Sequence, residues 1–118
     1  MRIDLDHLRR YTGEDDALIA EVLEMFGEQT AMWLRALDAT GPHEGWTSVA
    51  HAIKGSARAV GAERLGALCD RAEAMPEDAE ASAKAWLREE IAGEIDAVGA
   101  DIQRHLYESR MRRMRGVG

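Results

Sequence analysis

The feature that most constrains this chain is a series of apolar residues near its C-terminal end. Leu87, Ile91, Ile95, Val98, Ile102 and Leu106 follow one another at steps of three and four. Such spacing puts all six on one stripe of an α-helix, which turns about 100° per residue. A half-buried strand would need strict alternation, and no segment alternates over a useful length. A helix that is apolar on one side only must be covered by other helices. The rest of the chain supplies them. It holds only two prolines, and its turn signals fall at Thr12-Gly13, Thr40-Gly41-Pro42, Gly61 and Pro76. These signals predict helices over about 4–11, 14–38, 43–60 and 62–75, with a fifth from Pro76 onward. Thr12 is the expected N-cap of the second helix, ahead of Glu14, Asp15 and Asp16. Gly61 suits a left-handed C-cap, and Pro76 can occupy the first turn of the fifth helix. The fold class that follows is all-α: an antiparallel four-helix bundle with a short additional N-terminal helix.

Composition narrows the function classes. At 118 residues the chain makes one domain with one sizeable core. A formal charge of −7 argues against general nucleic-acid binding, which needs a basic surface. The local exception, Arg110, Arg112, Arg113 and Arg115, reads as a solvated helix end whose cations complement the helix dipole. The single cysteine, Cys69, has no partner for an internal disulfide, which fits a reducing compartment. It lies on the stripe of Leu65, Leu68, Ala72 and Met75 and is expected to be a packed core thiol. No apolar run approaches the roughly 20 residues of a membrane span, and no signal-peptide pattern opens the chain. A cytoplasmic protein without membrane or nucleic-acid partners is expected, working as a monomer.

The third helix carries the chemistry. On a helical wheel Trp46, Val49, Ala50, Ile53, Ala57 and Val60 cluster within about 60° of one direction, and His51 lies about 140° from it. His51 should therefore face water. Its neighbours at helical spacing are Thr47, Ser48, Lys54, Gly55 and Arg58. Three of these are small, so the ring should stand clear. Gly55 needs a reason of its own, because glycine inside a helix costs about 1 kcal/mol relative to alanine. A metal-binding bundle is disfavoured: His7, His43, His51 and His105 are scattered, and no Glu-x-x-His pair recurs on two helices. His43 and His105 are expected to be solvent-exposed. Phe26 is expected in the core, while Phe26 or Met32 could alternatively rim a docking patch.

The stretch Ala50-His51, Ile53, Lys54-Gly55-Ser56, Gly61-Ala62, Leu65, Cys69 and Glu73 resembles the histidine-containing phosphotransfer (HPt) family of multistep phosphorelays. Upstream, "EVLEMF" and "LRALDAT" resemble that family's second helix. The resemblance implies one HPt domain over residues 1–118, with a core motif at 46–75 and a basic helix end at 104–118. It implies that His51 accepts a phosphoryl group from the aspartate of a receiver domain in a hybrid histidine kinase and passes it to a response regulator. No kinase segment accompanies the motif, so a carrier without autokinase activity is implied.

In that reading Lys54 neutralises charge on the phosphorylated ring and, as a like charge, disfavours the imidazolium. Gly55 leaves steric access for the partner, and Ser56 is a helix-packing residue. Thr47, Ser48 and Arg58 join the docking surface, formed by the exposed faces of the second and third helices. No cofactor is expected on this chain, and any Mg²⁺ should sit on the receiver. The competing reading is an HPt-like adaptor that binds receivers without carrying phosphate.

Overall fold

The computed structural model describes residues 1–116. Five helices follow in order: α1 (Leu5–Thr12), α2 (Asp16–Ala36), α3 (His43–Ala59), α4 (Glu63–Glu73) and α5 (Ala81–Arg115). No strand occurs among the described residues. α3 packs on α2 and α4, and α5 packs on α4 and α2, which closes a four-helix ring with α3 and α5 across the diagonal. α1 lies against α2, and the Tyr11 hydroxyl donates to the Ala59 carbonyl at the end of α3 (2.8 Å).

The apolar stripes meet in one core. Leu23 and Phe26 from α2, Trp46 and Ile53 from α3, Leu65 and Cys69 from α4, and Ile91 and Val98 from α5 are all buried. Phe26 is thus core, as expected, while Met32 is exposed. Burial pushes the Cys69 thiol up to about 12, so it stays protonated at neutral pH.

Helix ends differ from the expectation where cap chemistry was misjudged. Thr12 does not cap α2. It ends α1, buried, with its hydroxyl donating to the Leu8 carbonyl (2.6 Å). Asp15 caps α2 instead, accepting from the backbone N–H groups of Ala17 and Leu18. A carboxylate one residue before the helix satisfies two orphan donors and complements the dipole. α2 stops at Ala36, two residues early, and the Arg88 side chain satisfies carbonyls at that end: Nε donates to the C-cap Leu37 and Nη2 to Leu34. Pro76 ends α4 but is not in the first turn of α5, which begins at Ala81 after a short connection.

Gly61 is left-handed (φ 71°), as its place after α3 predicts. There the N-terminal segment crosses: Asp4 N–H donates to Val60 O (3.0 Å), and a Cβ on Gly61 would collide with Asp4. That segment is tied down further by Arg2, whose backbone N–H donates to Asp101 (2.9 Å) and whose guanidinium faces Glu94.

Candidate functional site

α3 presents its polar side between α2 and α4. The His51 side chain is 68% exposed, on the outward side that the wheel assigns to it. Ala50 and Ile53 beside it in sequence are fully buried and fix the helix rotation. Rotating α3 to hide His51 would bring both of those into water, so core packing holds the ring outside.

The ring is oriented by α4. His51 Nδ1 lies 2.8 Å from Glu73 Oε2. A carboxylate only accepts, so Nδ1 carries the proton and donates. The second nitrogen, Nε2, then holds a lone pair, and no described residue bonds to it. The arrangement gives an outward-facing nucleophilic nitrogen with a fixed tautomer.

Lys54 stands one turn along, but it does not face the ring as a like charge. Its ammonium turns to α4, donating to Glu73 Oε1 (2.5 Å) and Asp70 Oδ1 (3.2 Å). The Glu73 carboxylate therefore joins Lys54 to His51, one oxygen for each. The hydrogen bond from Lys54 holds the Glu73 carboxyl below its ordinary range, with a further contribution from His51. The bond to Glu73 in turn raises Lys54. Both groups stay ionised across neutral pH, and the carboxylate remains an acceptor.

The other residues predicted from sequence are placed less uniformly. Gly55 is exposed one turn after His51, and a Cβ there would meet nothing within 4 Å. The chain's own packing thus does not demand a bare position. Ser48 is exposed, whereas Thr47 is half-buried and its hydroxyl donates back to the Glu44 carbonyl (3.1 Å). Arg58 is exposed two turns from His51, about 10 Å along the axis. It lines an open cavity of about 450 Å³ with Asp4, His7, Glu63 and Asp70, and its stem passes over Gly66 of α4. Ser56 is half-buried toward α2, in a cleft with Val22, Met25 and Gln29, which suits helix packing.

Two histidines depart from the expectation of full exposure. His43 is half-buried, its Nδ1 3.3 Å from Lys84 Nζ, and Lys84 itself is buried against the Trp46 ring. His105 is half-buried near α1, and desolvation lowers its pKa. Helical spacing is consistent with both burials, since His43 stands three and seven residues from buried Trp46 and Ala50, and His105 three and seven from buried Ile102 and Val98. The role of Glu73, by contrast, was invisible as geometry. The only sequence sign was its place in the motif, 22 residues beyond the histidine on a neighbouring helix.

Among the described residues no group of three His, Cys, Asp or Glu side chains is placed to hold a metal ion. Among the described residues no helix is long and apolar enough to cross a membrane. The last two positions of the basic helix end predicted at 104–118 lie outside the described residues.

Comparison with known proteins agrees with the fold. The family model described as Hpt domain matches residues 17–101. Among solved structures, the crystal structure of the histidine phosphotransferase ShpA from Caulobacter crescentus superposes with a TM-score of 0.76 at 35% identity. The match covers 97% of this chain and 99% of that one. No match was found among curated protein sequences. The all-α bundle, the motif from Ala50 to Glu73 and these two matches place the chain in the Hpt domain family.

Proposed function

We propose that this protein is a phosphorelay carrier in which His51 Nε2 takes a phosphoryl group from the aspartyl phosphate of a receiver domain and yields it to another receiver. The observation that carries this reading is an exposed imidazole whose Nδ1–H is held by Glu73 while no described residue bonds to Nε2.

The transfer needs little from the protein beyond positioning and charge. Nε2 attacks the phosphorus in line, an N–P bond forms, and the P–O bond to the receiver's aspartate breaks. The electron pair leaves on that carboxylate, and no proton need move. The ring gains cationic character as the N–P bond forms, and the Glu73 carboxylate at Nδ1–H is already placed to stabilise it. Lys54 keeps Glu73 in position and ionised. The return step is the same displacement in reverse. On this reading the chain has no autokinase activity and needs no cofactor of its own, and any divalent cation belongs to the receiver.

The partner would dock on the exposed faces of α2 and α3. Gly55, Ser48 and the exposed Met25 and Met32 give a surface with small residues near the ring and apolar ones farther out. Such a patch around a polar centre suits short-lived association. Gly55 is bare because a receiver's loops must close around His51. A Gly55→Gln variant should fold normally but accept phosphate from a receiver at least about tenfold more slowly, a loss of about 1.4 kcal/mol in the transfer barrier. Normal transfer by that variant would remove the access argument.

The decisive experiment mixes the protein with a receiver domain labelled on its aspartyl phosphate. Acid-labile label should appear on this chain and be absent from His51→Gln. A chain that binds the receiver yet acquires no label would be an adaptor instead.

A further inference from the structure

The last turns of α5 leave the bundle. Beyond Leu106 none of its described residues is buried, so the helix end projects along the 61 Å long dimension of the molecule. Its charge is the reverse of the whole. Residues 103–115 hold five arginines and a single glutamate, in a chain whose formal charge is −7. Arg110, Arg112, Arg113 and Arg115 form no ion pair among the described residues. Complementing the helix dipole accounts only for cations in the last turn, Arg112, Arg113 and Arg115. Arg104 and Arg110 lie before it.

The apolar residues of the same segment are ordered as well. Tyr107, Met111 and Met114 stand at steps of four and three, within about 60° of one another around the helix. Tyr107 and Met114 are 60% and 66% exposed, and Met111 is half-buried. Arg110 flanks this stripe on one side, and Arg104 and Arg115 on the other, each about 60–80° from Tyr107. The stripe turns away from the rest of the molecule. His105, about 160° round the helix from Tyr107, is the residue that lies with Arg9 of α1 and Asp16 of α2. The acidic start of α2 is therefore behind the stripe. Along the outward side the next acid is Asp96, about 16 Å below Tyr107, or about two screening lengths at physiological salt.

We propose that this projecting end of α5 docks reversibly on an anionic lipid surface. Apolar side chains with cations on both shoulders suit a helix seated at a bilayer interface, where arginines reach lipid phosphates along their apolar stems. An acidic protein surface would match the arginines and leave Tyr107 and Met114 in water. Three apolar side chains hold such a contact weakly, and each arginine near an anionic bilayer strengthens it about fivefold, so the docked state is short-lived. Glu89, Glu90 and Asp96 keep the first half of α5 off the same surface, and the molecule stands on its helix end. Because α3 lies across the bundle from α5, His51 stays open to a receiver while the chain is docked. The contact is peripheral, and it departs from the sequence expectation of a chain without a membrane partner.

Co-sedimentation of the full chain with sucrose-loaded vesicles tests this. Binding to phosphatidylcholine vesicles containing about 30% phosphatidylglycerol should exceed binding to phosphatidylcholine alone by at least about tenfold, and should fall as salt rises. Arg110→Glu/Arg115→Glu should lose that excess, whereas Arg110→Lys/Arg115→Lys should keep most of it. Tyr107→Ser/Met114→Ser, with every charge in place, should weaken binding about fivefold or more. All three variants should retain wild-type circular dichroism and phosphate acceptance, since none of these side chains is in the core or beside His51. No preference for the anionic vesicles overturns the proposal, as does a preference that the arginine reversals leave intact. Equal binding to soluble poly-glutamate, unaffected by the two serines, overturns it in favour of an acidic protein surface.

Discussion

Two histidines on α3, His43 and His51, each meet one of the chain's two lysines or that lysine's partner, with opposite results. At His51 a carboxylate sits between ring and lysine. Glu73 accepts from the Nδ1–H and from the Lys54 ammonium together, so the nitrogen left free on this exposed ring is Nε2. At His43 no carboxylate intervenes. Lys84 Nζ approaches Nδ1 directly, and an ammonium can only donate, so Nδ1 accepts and Nε2 holds the proton. The same side chain on the same helix is thus a free nucleophile at one position and a spent acceptor at the other. What distinguishes them is the group delivered by the neighbouring helix: an accepting carboxylate from α4 in one case, a donating ammonium from α5 in the other.

The strongest way to break this contrast is to exchange the two rings for glutamine. His51→Gln should abolish phosphate acceptance, while His43→Gln should leave the transfer rate within about twofold, because only one ring presents a lone pair to solvent. Label retained on His51→Gln would assign the chemistry elsewhere. A second test sharpens the role of the bridging acid. Glu73→Ala frees the ring to rotate and change tautomer, and transfer should fall about 10- to 100-fold, the usual range for losing an orienting partner. Circular dichroism should be unchanged. A rate equal to wild type would show that Glu73 only anchors Lys54.

Acid pH separates the carboxylate site from the lysine–histidine site by stability. Glu73 titrates below its ordinary 4.5 in the folded chain, so its stabilising contribution is complete above that value and is lost as pH falls through the lower folded value. Asp101, held down chiefly by the Arg2 backbone N–H, behaves alike below 3.8. Urea unfolding in mild acid should therefore show a shallower loss of stability in Glu73→Gln than in wild type, with His43→Gln matching wild type over that acid limb. The smallest effect is expected at Lys84. Its buried stem packs on Trp46 and its head has only a neutral acceptor, so Lys84→Met should change unfolding free energy by less than about 1.5 kcal/mol. A much larger loss would mean that the lysine–histidine bond holds the α3 and α5 ends together.

The contrast also locates where sequence reasoning succeeds. Within one helix the wheel is a sufficient instrument: it put Trp46, Ile53 and Ala57 inside, His51 and Gly55 outside, and it recovered the α5 stripe. The expectation of exposure failed for His43 and His105, although the wheel sets both beside buried stripes: His43 is three and seven residues from Trp46 and Ala50, and His105 three and seven from Ile102 and Val98. Thr12 failed for a different reason. Several capping residues crowd the α1–α2 turn, and the left-handed pair Gly13 and Glu14 hands the cap to Asp15.

From its sequence alone this chain was bound to form amphipathic helices, to bury one stripe of each, and to turn the imidazole of α3 toward solvent. Those outcomes depend on angles between residues of a single rod, which spacing fixes. Which nitrogen of His51 carries the proton, where the charge of Lys54 goes, and which group meets His43 were decided only when separate helices came together. Those depend on side chains far apart in sequence meeting at 2.5–3.3 Å, and no local pattern encodes such a meeting.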